Sequence, residues 1–316
     1  MDAPTWRDVE GARRRIAGLA HRTAVMTCAA IDREAGAHVF FKCENFQKTG
    51  SFKFRGALNA VACLSQEERS RGVITHSSGN HAQALALAAR LYEVRATVVV
   101  PENAAPVKRR ATEGYGATVV PCAPTLAARK ETTARLIEET GATFIHPHDD
   151  PRVIAGQGTA AWELVEEAGP IDLLLAPVGG GGLLSGTALA ARHFLPKVQL
   201  IGCEPSGADD AYRSLKSGER VTESVPNTIA DGLRTTLGEL DFAIIKTAVS
   251  DILRVSEESI LSAMRFVWER MKIVIEPSSA VAVAPLLDRS LRAEGRRVGV
   301  ILSGGNVDLD RFFEKG

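Results

Sequence analysis

The chain has 316 residues, 45% of them hydrophobic and 24% charged, with 38 basic and 38 acidic side chains. That length suggests about two domains, and the composition supports an ordinary globular core. The charge balance argues against nucleic acid or an anionic membrane as the main partner, and no apolar run reaches the length of a membrane span.

In chain order, Thr5 and Asp8 fit a capping box that opens an amphipathic helix. Arg13, Arg14 and Arg15 are followed only by a short alanine-rich patch, which is not the pattern of a signal peptide. The spacing of β-branched residues predicts strands at Val39–Cys43, Gly72–Thr75, Ala96–Val100 (ending at Pro101), Ala117–Val120 (ending at Pro121) and Thr143–Ile145. It predicts further strands at Asp172–Val178, Val198–Cys203 and Val298–Leu302, with a helix from about Asn80 to Arg90. Strands separated by helical patterns imply parallel βαβ units, hence an α/β class of open, mostly parallel sheets with helices on both faces. The strands between about 72 and 145 can form a smaller sheet, so residues 71–145 are expected as a small domain inserted in a large one built from 1–70 plus 146–316. Cys28, Cys43, Cys63, Cys122 and Cys203 are scattered and form no Cys-x-x-Cys pair. Free thiols in a reducing cytosol account for them most simply.

Ser51-Phe-Lys53-Phe-Arg-Gly56 is the most informative stretch. A lysine between two phenylalanines and beside Arg55 has both an apolar wall and a neighbouring positive charge to lower its pKa. A neutral amine is a nucleophile able to form a Schiff base with a carbonyl. Alone, the stretch reads better as a lysine snorkelling off a buried element, and other loops reverse that preference.

Val178 leads into Gly179-Gly180-Gly181-Gly182-Leu183 and a helical pattern. Glycines at a strand-to-helix turn let backbone N–H groups converge on an anion, with the helix dipole in support. No Lys-Ser/Thr follows, so this is not a Walker A loop. A dinucleotide site is a competing reading, because Gly180, Gly182 and Ser185 come within one residue of the fingerprint and Glu204 ends the next strand. The missing third glycine and Pro205 speak against it. Ser77-Ser78-Gly79-Asn80-His81 also follows a strand, and its hydroxyls and N–H groups suit a carboxylate. Its bland reading is a helix cap using Ser78 or Asn80. Ser303-Gly-Gly-Asn306 is a third such loop. Lysine, phosphate cup and carboxylate loop together fit pyridoxal phosphate bound to an amino acid.

At this point the chain resembles the fold-type II pyridoxal-phosphate enzymes, the tryptophan-synthase-β-like group, and within it serine/threonine dehydratases and serine racemase. The matching stretches are Lys48–Ala57, Ser77–His81, Ile154-Ala-Gly-Gln-Gly-Thr159, the tetraglycine, Glu204-Pro205 and Ser303–Asn306. The resemblance implies that Lys53, preceded by Phe52, holds the cofactor and Asn80 bonds its phenolic oxygen. It implies that Gly179 to Gly182 with Leu183 bind the phosphate, that Ser303 faces the pyridine nitrogen, and that Ser77 to His81 hold the substrate carboxylate. Because Ser303 is not a carboxylate, the ring nitrogen need not stay protonated, which favours expulsion of a β-substituent over transamination. The expected activity is dehydration and deamination of L-serine or L-threonine to a 2-oxo acid and ammonia, with Lys53 as base. Serine racemisation, with Ser78 on the opposite face, and threo-3-hydroxyaspartate dehydration are the alternatives. A non-catalytic cofactor-binding protein stands as the alternative of another class, and a cytoplasmic homodimer is expected.

Glu204, Ala208 and Asp210 offer two carboxylates and a carbonyl, hard oxygens that suit Mg²⁺ or Ca²⁺. Acids at a helix start explain the spacing as well, and the resemblance to the metal-dependent branch favours the metal. His148 departs from the asparagine or aromatic residue often found there in related enzymes. It is expected either to contact the substrate β-group or to stabilise its turn. Glu276 is read as closing the site near the ring or as core packing. Arg129 is read as a solvated helix arginine, with a second substrate carboxylate as its other use.

Overall fold

The computed structural model describes residues 2–104 and 106–313. Among these, ten strands form two sheets: β1 (Val25–Met26), β2 (His38–Cys43), β3 (Val73–His76), β4 (Ala96–Pro101), β5 (Thr118–Cys122), β6 (Thr143–Phe144), β7 (Leu173–Pro177), β8 (Gln199–Pro205), β9 (Asp251–Val255) and β10 (Arg297–Leu302). One sheet has the order β1-β2-β10-β7-β8-β9 and the other β5-β4-β3-β6. Every pairing is parallel except β1 with β2. Helices cover both faces of a parallel sheet, so its inner strands are apolar throughout. All of β7 and nearly all of β10 are accordingly buried. No helix among the described residues is long and apolar enough to cross a membrane, and the cysteines form no disulfide.

The α/β architecture agrees with the expectation from periodicity, and the departures have physical causes. The fifth strand runs through Pro121 instead of stopping there, with Pro121 opposite Val100. β5 lies at a sheet edge, where a missing N–H donor is tolerated. β9 carries Asp251 and Arg254 in five residues and is also an edge strand, where charge is favoured over apolar alternation. β1 has two residues, too few to show a period. The expected capping box at Thr5 forms, with the Asp8 carboxylate accepting from the Thr5 amide and hydroxyl, each at 2.7 Å.

The Ile154-Ala-Gly-Gln-Gly-Thr159 stretch lies inside the helix Pro151–Ala168 and joins two others to it. A Cβ on Gly156 would stand 2.6 Å from the Arg55 carbonyl oxygen, and one on Gly186 would stand 2.5 Å from Gly158 N. The helices Lys53–Ala62 and Gly182–Phe194 therefore meet the central helix backbone to backbone. Since the lysine opens one of these helices and the glycine cup opens the other, this packing fixes their relative position.

Beneath the lysine helix lies a charge network the sequence did not announce. Arg55 is fully buried and donates to both oxygens of Glu44 (2.7 and 2.8 Å) and both of Glu163 (2.8 and 2.7 Å). Lys42, also fully buried, meets Glu163 at 2.7 Å and the Thr23 carbonyl at 2.6 Å. Burial opposes the Arg55 charge, but the two glutamates outweigh it and hold the guanidinium above its ordinary pKa.

Candidate active site

Lys53 opens its helix directly after a segment tied to the end of β10. Phe52 N–H donates to the Ser303 carbonyl at 3.0 Å, and Ser51 bridges Gly304. Lys53 is half-buried, and its amine donates to the Pro147 carbonyl at 2.8 Å. Burial lowers its pKa to about 8, against the opposing pull of Asp241 and Glu276. The lowered pKa agrees with the sequence reading, but its cause is corrected. Arg55 is not among the groups that shift it, and its guanidinium is paired with Glu44 and Glu163. Nor do two phenylalanines flank the amine. Neighbours in sequence do not face each other on a helix; Phe54 is buried in a cluster with Leu58, Leu85 and Val98, while the Phe52 ring lies 5.1 Å from Nζ.

The tetraglycine follows β7 and ends at the N-terminus of helix Gly182–Phe194. Gly181 has φ +106°, a conformation that L side chains rarely adopt. A Cβ on Gly179 would stand 2.8 Å from Leu233 Cα, and one on Gly180 would overlap the His148 ring. Side chains are thus excluded and the backbone is left to meet a ligand, with the Leu183 amide in the first helical turn among the donors without an intrahelical partner.

The Ser77–His81 loop follows β3. Gly79 caps the helix Asn80–Leu91, and no side-chain cap forms, so the bland reading of Ser78 or Asn80 as the cap does not hold. The Asn80 amide instead donates to Glu276 Oε1 at 2.9 Å, and its carbonyl accepts from Asn306 at 2.9 Å. Asn306 also donates to the Thr49 carbonyl at 2.7 Å, and Glu276 N–H to the Gly304 carbonyl at 3.0 Å. Glu276 therefore belongs to the site and not merely to the core. Ser77, Ser78, Gly79 and Asn80 are half-buried, and a Cβ on Gly79 would meet nothing within 4 Å, so space remains beside this loop. His81 is buried with neither ring nitrogen hydrogen-bonded, and burial followed by Lys53 holds it neutral.

His148 stands between the cup and the lysine. Its Nδ1 lies 3.2 Å from Asp241 Oδ2, and burial lowers its pKa to about 3. His146 Nδ1 accepts from the Asp149 amide at 2.9 Å and from the His148 amide at 3.3 Å. Asp241 was missed by the sequence reading, because one aspartate in an ordinary amphipathic pattern carries no signal. Arg129 is half-buried, and its buried Nε has no hydrogen-bond partner. It lies near His76 at the end of β3, whose pKa is lowered by burial first and by Arg129 next.

Glu204 and Asp210 sit apart, beyond the end of β8 and at the start of helix Asp210–Ser217. Ala208, between them, is buried at the end of a short 3-10 turn. Glu204 accepts the amides of Ala211 (2.9 Å) and Tyr212 (2.8 Å), and Asp210 accepts that of Leu237 (3.0 Å). Among the described residues neither carboxylate forms a salt bridge, and burial raises Glu204 to about 8 and Asp210 to about 6. Among the described residues no group of three or more His, Cys, Asp or Glu side chains is placed to hold a metal ion.

An amine of lowered pKa, an anion cradle closed to side chains and a carboxylate-sized loop fit a phosphorylated aldehyde and an amino acid. A family model described as pyridoxal-phosphate dependent enzyme matches residues 16–304. Serine racemase of Dictyostelium discoideum is 51% identical, over 98% of this chain and 97% of its own length. L-threo-3-hydroxyaspartate ammonia-lyase of Saccharomyces cerevisiae is 49% identical, over 99% and 96%. The crystal structure of a T.th. threonine deaminase superposes with a TM-score of 0.92 at 45% identity, covering 96% of this chain and 99% of that one. By these matches the chain belongs to the pyridoxal-phosphate dependent enzymes, in the family of serine/threonine dehydratases and serine racemases.

Proposed function

We propose that the chain eliminates water from a 3-hydroxy amino acid bearing a second carboxylate, of the threo-3-hydroxyaspartate class, and that the enamine so released is hydrolysed by water to a 2-oxo acid and ammonia. The carrying observation is Arg129, a half-buried cation with an unpartnered Nε near the strand that presents the Ser77–His81 loop. Serine and threonine, the substrates expected from sequence, have no second carboxylate for it. Relatives named for hydroxyaspartate support the same choice, at 49% and 46% identity.

Bound pyridoxal phosphate supplies the electron sink that makes the substrate α-proton acidic. Lys53 would hold the cofactor aldehyde and, as a free amine, would take that proton as base. Gly179 to Gly182 and the Leu183 amide would hold the phosphate, and Asn80, itself fixed by Glu276 and Asn306, would hold the phenolic oxygen. Ser303 would face the ring nitrogen without a formal charge. Ser77 to His81 receive the α-carboxylate. For Arg129→Gln, kcat/KM for threo-3-hydroxyaspartate is expected to fall about 10–100-fold, the loss of a charge-assisted hydrogen bond of about 1.5–3 kcal/mol. The change for L-serine should stay within about threefold; equal losses on both substrates would refute the assignment.

A second reading, interconversion of serine enantiomers, is supported by the 51% identity to a serine racemase and by Ser78, half-buried beside open space in the loop. Ser78→Ala should then abolish D-serine formation from L-serine while elimination persists, and chiral chromatography decides. A protein that keeps the cofactor's colour yet turns over none of these substrates would instead be a binding protein.

Glu204, the Ala208 carbonyl and Asp210 are proposed to hold Mg²⁺ or Ca²⁺. Both acids have folded pKa values above the ordinary carboxylate range, so without metal their contribution to stability is present at acid pH and is lost as pH rises towards 8. A cation binds the ionised forms and reverses that loss. The gap in Tm between Mg²⁺-loaded and chelated protein should therefore be larger at pH 8 than at pH 6. No gap at either pH would remove the metal from the account.

A further inference from the structure

Asp241 places a carboxylate where the site is built to receive an anion. It is fully buried in the first turn of helix Glu239–Ala248. A Cβ on Gly181 would stand 2.6 Å from Asp241 Cβ, so the carboxylate lies directly behind the glycine cup. Its Oδ2 meets His148 Nδ1 at 3.2 Å, and its Oδ1 has no hydrogen-bond partner. His148 in turn covers Gly180 and packs 3.1 Å from where a Gly182 Cβ would stand. A phosphate in the cup and an ionised Asp241 would be like charges in a site with little water between them, and such a pair favours a proton on one member.

The other groups facing this pair come from three directions. Lys53 approaches from its helix, His146 and Asp149 from the loop before Pro151, and His76 and His81 from the side of the four-stranded sheet. The Asp149 carboxylate is held by the Glu239 and Leu240 amides, each at 2.9 Å, and adds negative charge. Lys53 is the single cationic side chain among them, and cofactor attachment consumes its free amine. Burial holds the Asp241 carboxyl well above its ordinary range and His148 well below, so the pair resists carrying net charge.

We propose that His148 and Asp241 form a positioning pair for the cofactor phosphate, which takes up one proton from solvent when the phosphate enters the cup. With that proton the pair is neutral overall, as imidazole with carboxylic acid or imidazolium with carboxylate. Without it the pair is an anion behind an anion site. The inference rests on Gly179–Gly182 being the phosphate cup and is independent of which amino acid is the substrate.

The test is the dissociation constant of pyridoxal phosphate from pH 6 to 9, by absorbance titration of the stripped full-length protein, for native, Asp241→Asn and His148→Asn. Ionisation of free cofactor is common to all three and cancels in ratios; the Lys53 pKa, which Asp241 raises, is measured in each protein from the pH dependence of imine formation and divided out. Native and Asp241→Asn should bind alike at low pH. As the native pair deprotonates, the native constant should rise relative to Asp241→Asn, by up to about tenfold per pH unit where one proton is exchanged. His148→Asn removes the partner that shares the proton, so it should lose affinity at a lower pH than native and converge with it at high pH. A merely structural role would give ratios independent of pH, and that result for both variants overturns the proposal. If one variant fails to fold, the ratio for the other decides by the same criterion. Failure of hydroxyaspartate turnover would sink the substrate assignment and leave these ratios unchanged.

Discussion

Lys53→Ala is expected to abolish the visible imine band of the purified protein and to lower turnover of every substrate by at least about 10²–10⁴-fold, the scale of a lost general base. The physical case is positional. The amine is the first side chain of a helix fixed by backbone contact to the helix behind the glycine cup, and it points to Pro147, next to His148. Its pKa of about 8 follows from burial. The neutral, nucleophilic fraction therefore grows as pH rises from 6 to 8, and imine formation on adding cofactor to stripped protein should accelerate over the same interval. Reductive trapping with borohydride followed by peptide mass spectrometry locates the adduct. An adduct on another lysine, or retained turnover in Lys53→Ala, would contradict the assignment.

Arg55→Met is expected to destabilise the protein by about 3–5 kcal/mol, the cost of leaving one side of a buried charge network unpaired. Glu44 and Glu163 would each lose two hydrogen bonds with no water to replace them, and Lys42 alone would face both. Arg55→Lys restores the charge but not the fork that serves two carboxylates at once, so it should recover only part of the loss. Denaturant melts compare the three proteins. Equal midpoints for Arg55→Met and native would show that the network contributes nothing net. The mutation sits two residues from Lys53, so any loss of cofactor should follow loss of stability and be relieved by cooling below the melting transition.

The fold class and most of the site were legible in the chain itself because they depend on local chemistry. Apolar runs alternating with helical spacing imply parallel sheets whatever their order, and glycines after a strand imply a cup whatever stands opposite. Ser77–His81 and Ser303–Asn306 were found the same way, as polar turns at strand ends, where backbone groups must find partners. What the residues could not specify was partnership across the fold. Arg55 beside Lys53 in sequence looked like a charge that tunes the amine. Tertiary structure gives that charge to Glu44 and Glu163, 11 residues before it and 108 after. Asp241, 93 residues from His148, had no local mark at all. Arg129 reads as a solvent-facing helix residue until the four-stranded sheet places it near His76. The sequence by itself determined which backbone turns could hold an anion and which amine could react, because those properties reside in single residues and their immediate neighbours. Only the tertiary structure decided which charges are cancelled and which stand free, because Coulomb interactions and desolvation depend on distance through space and not along the chain.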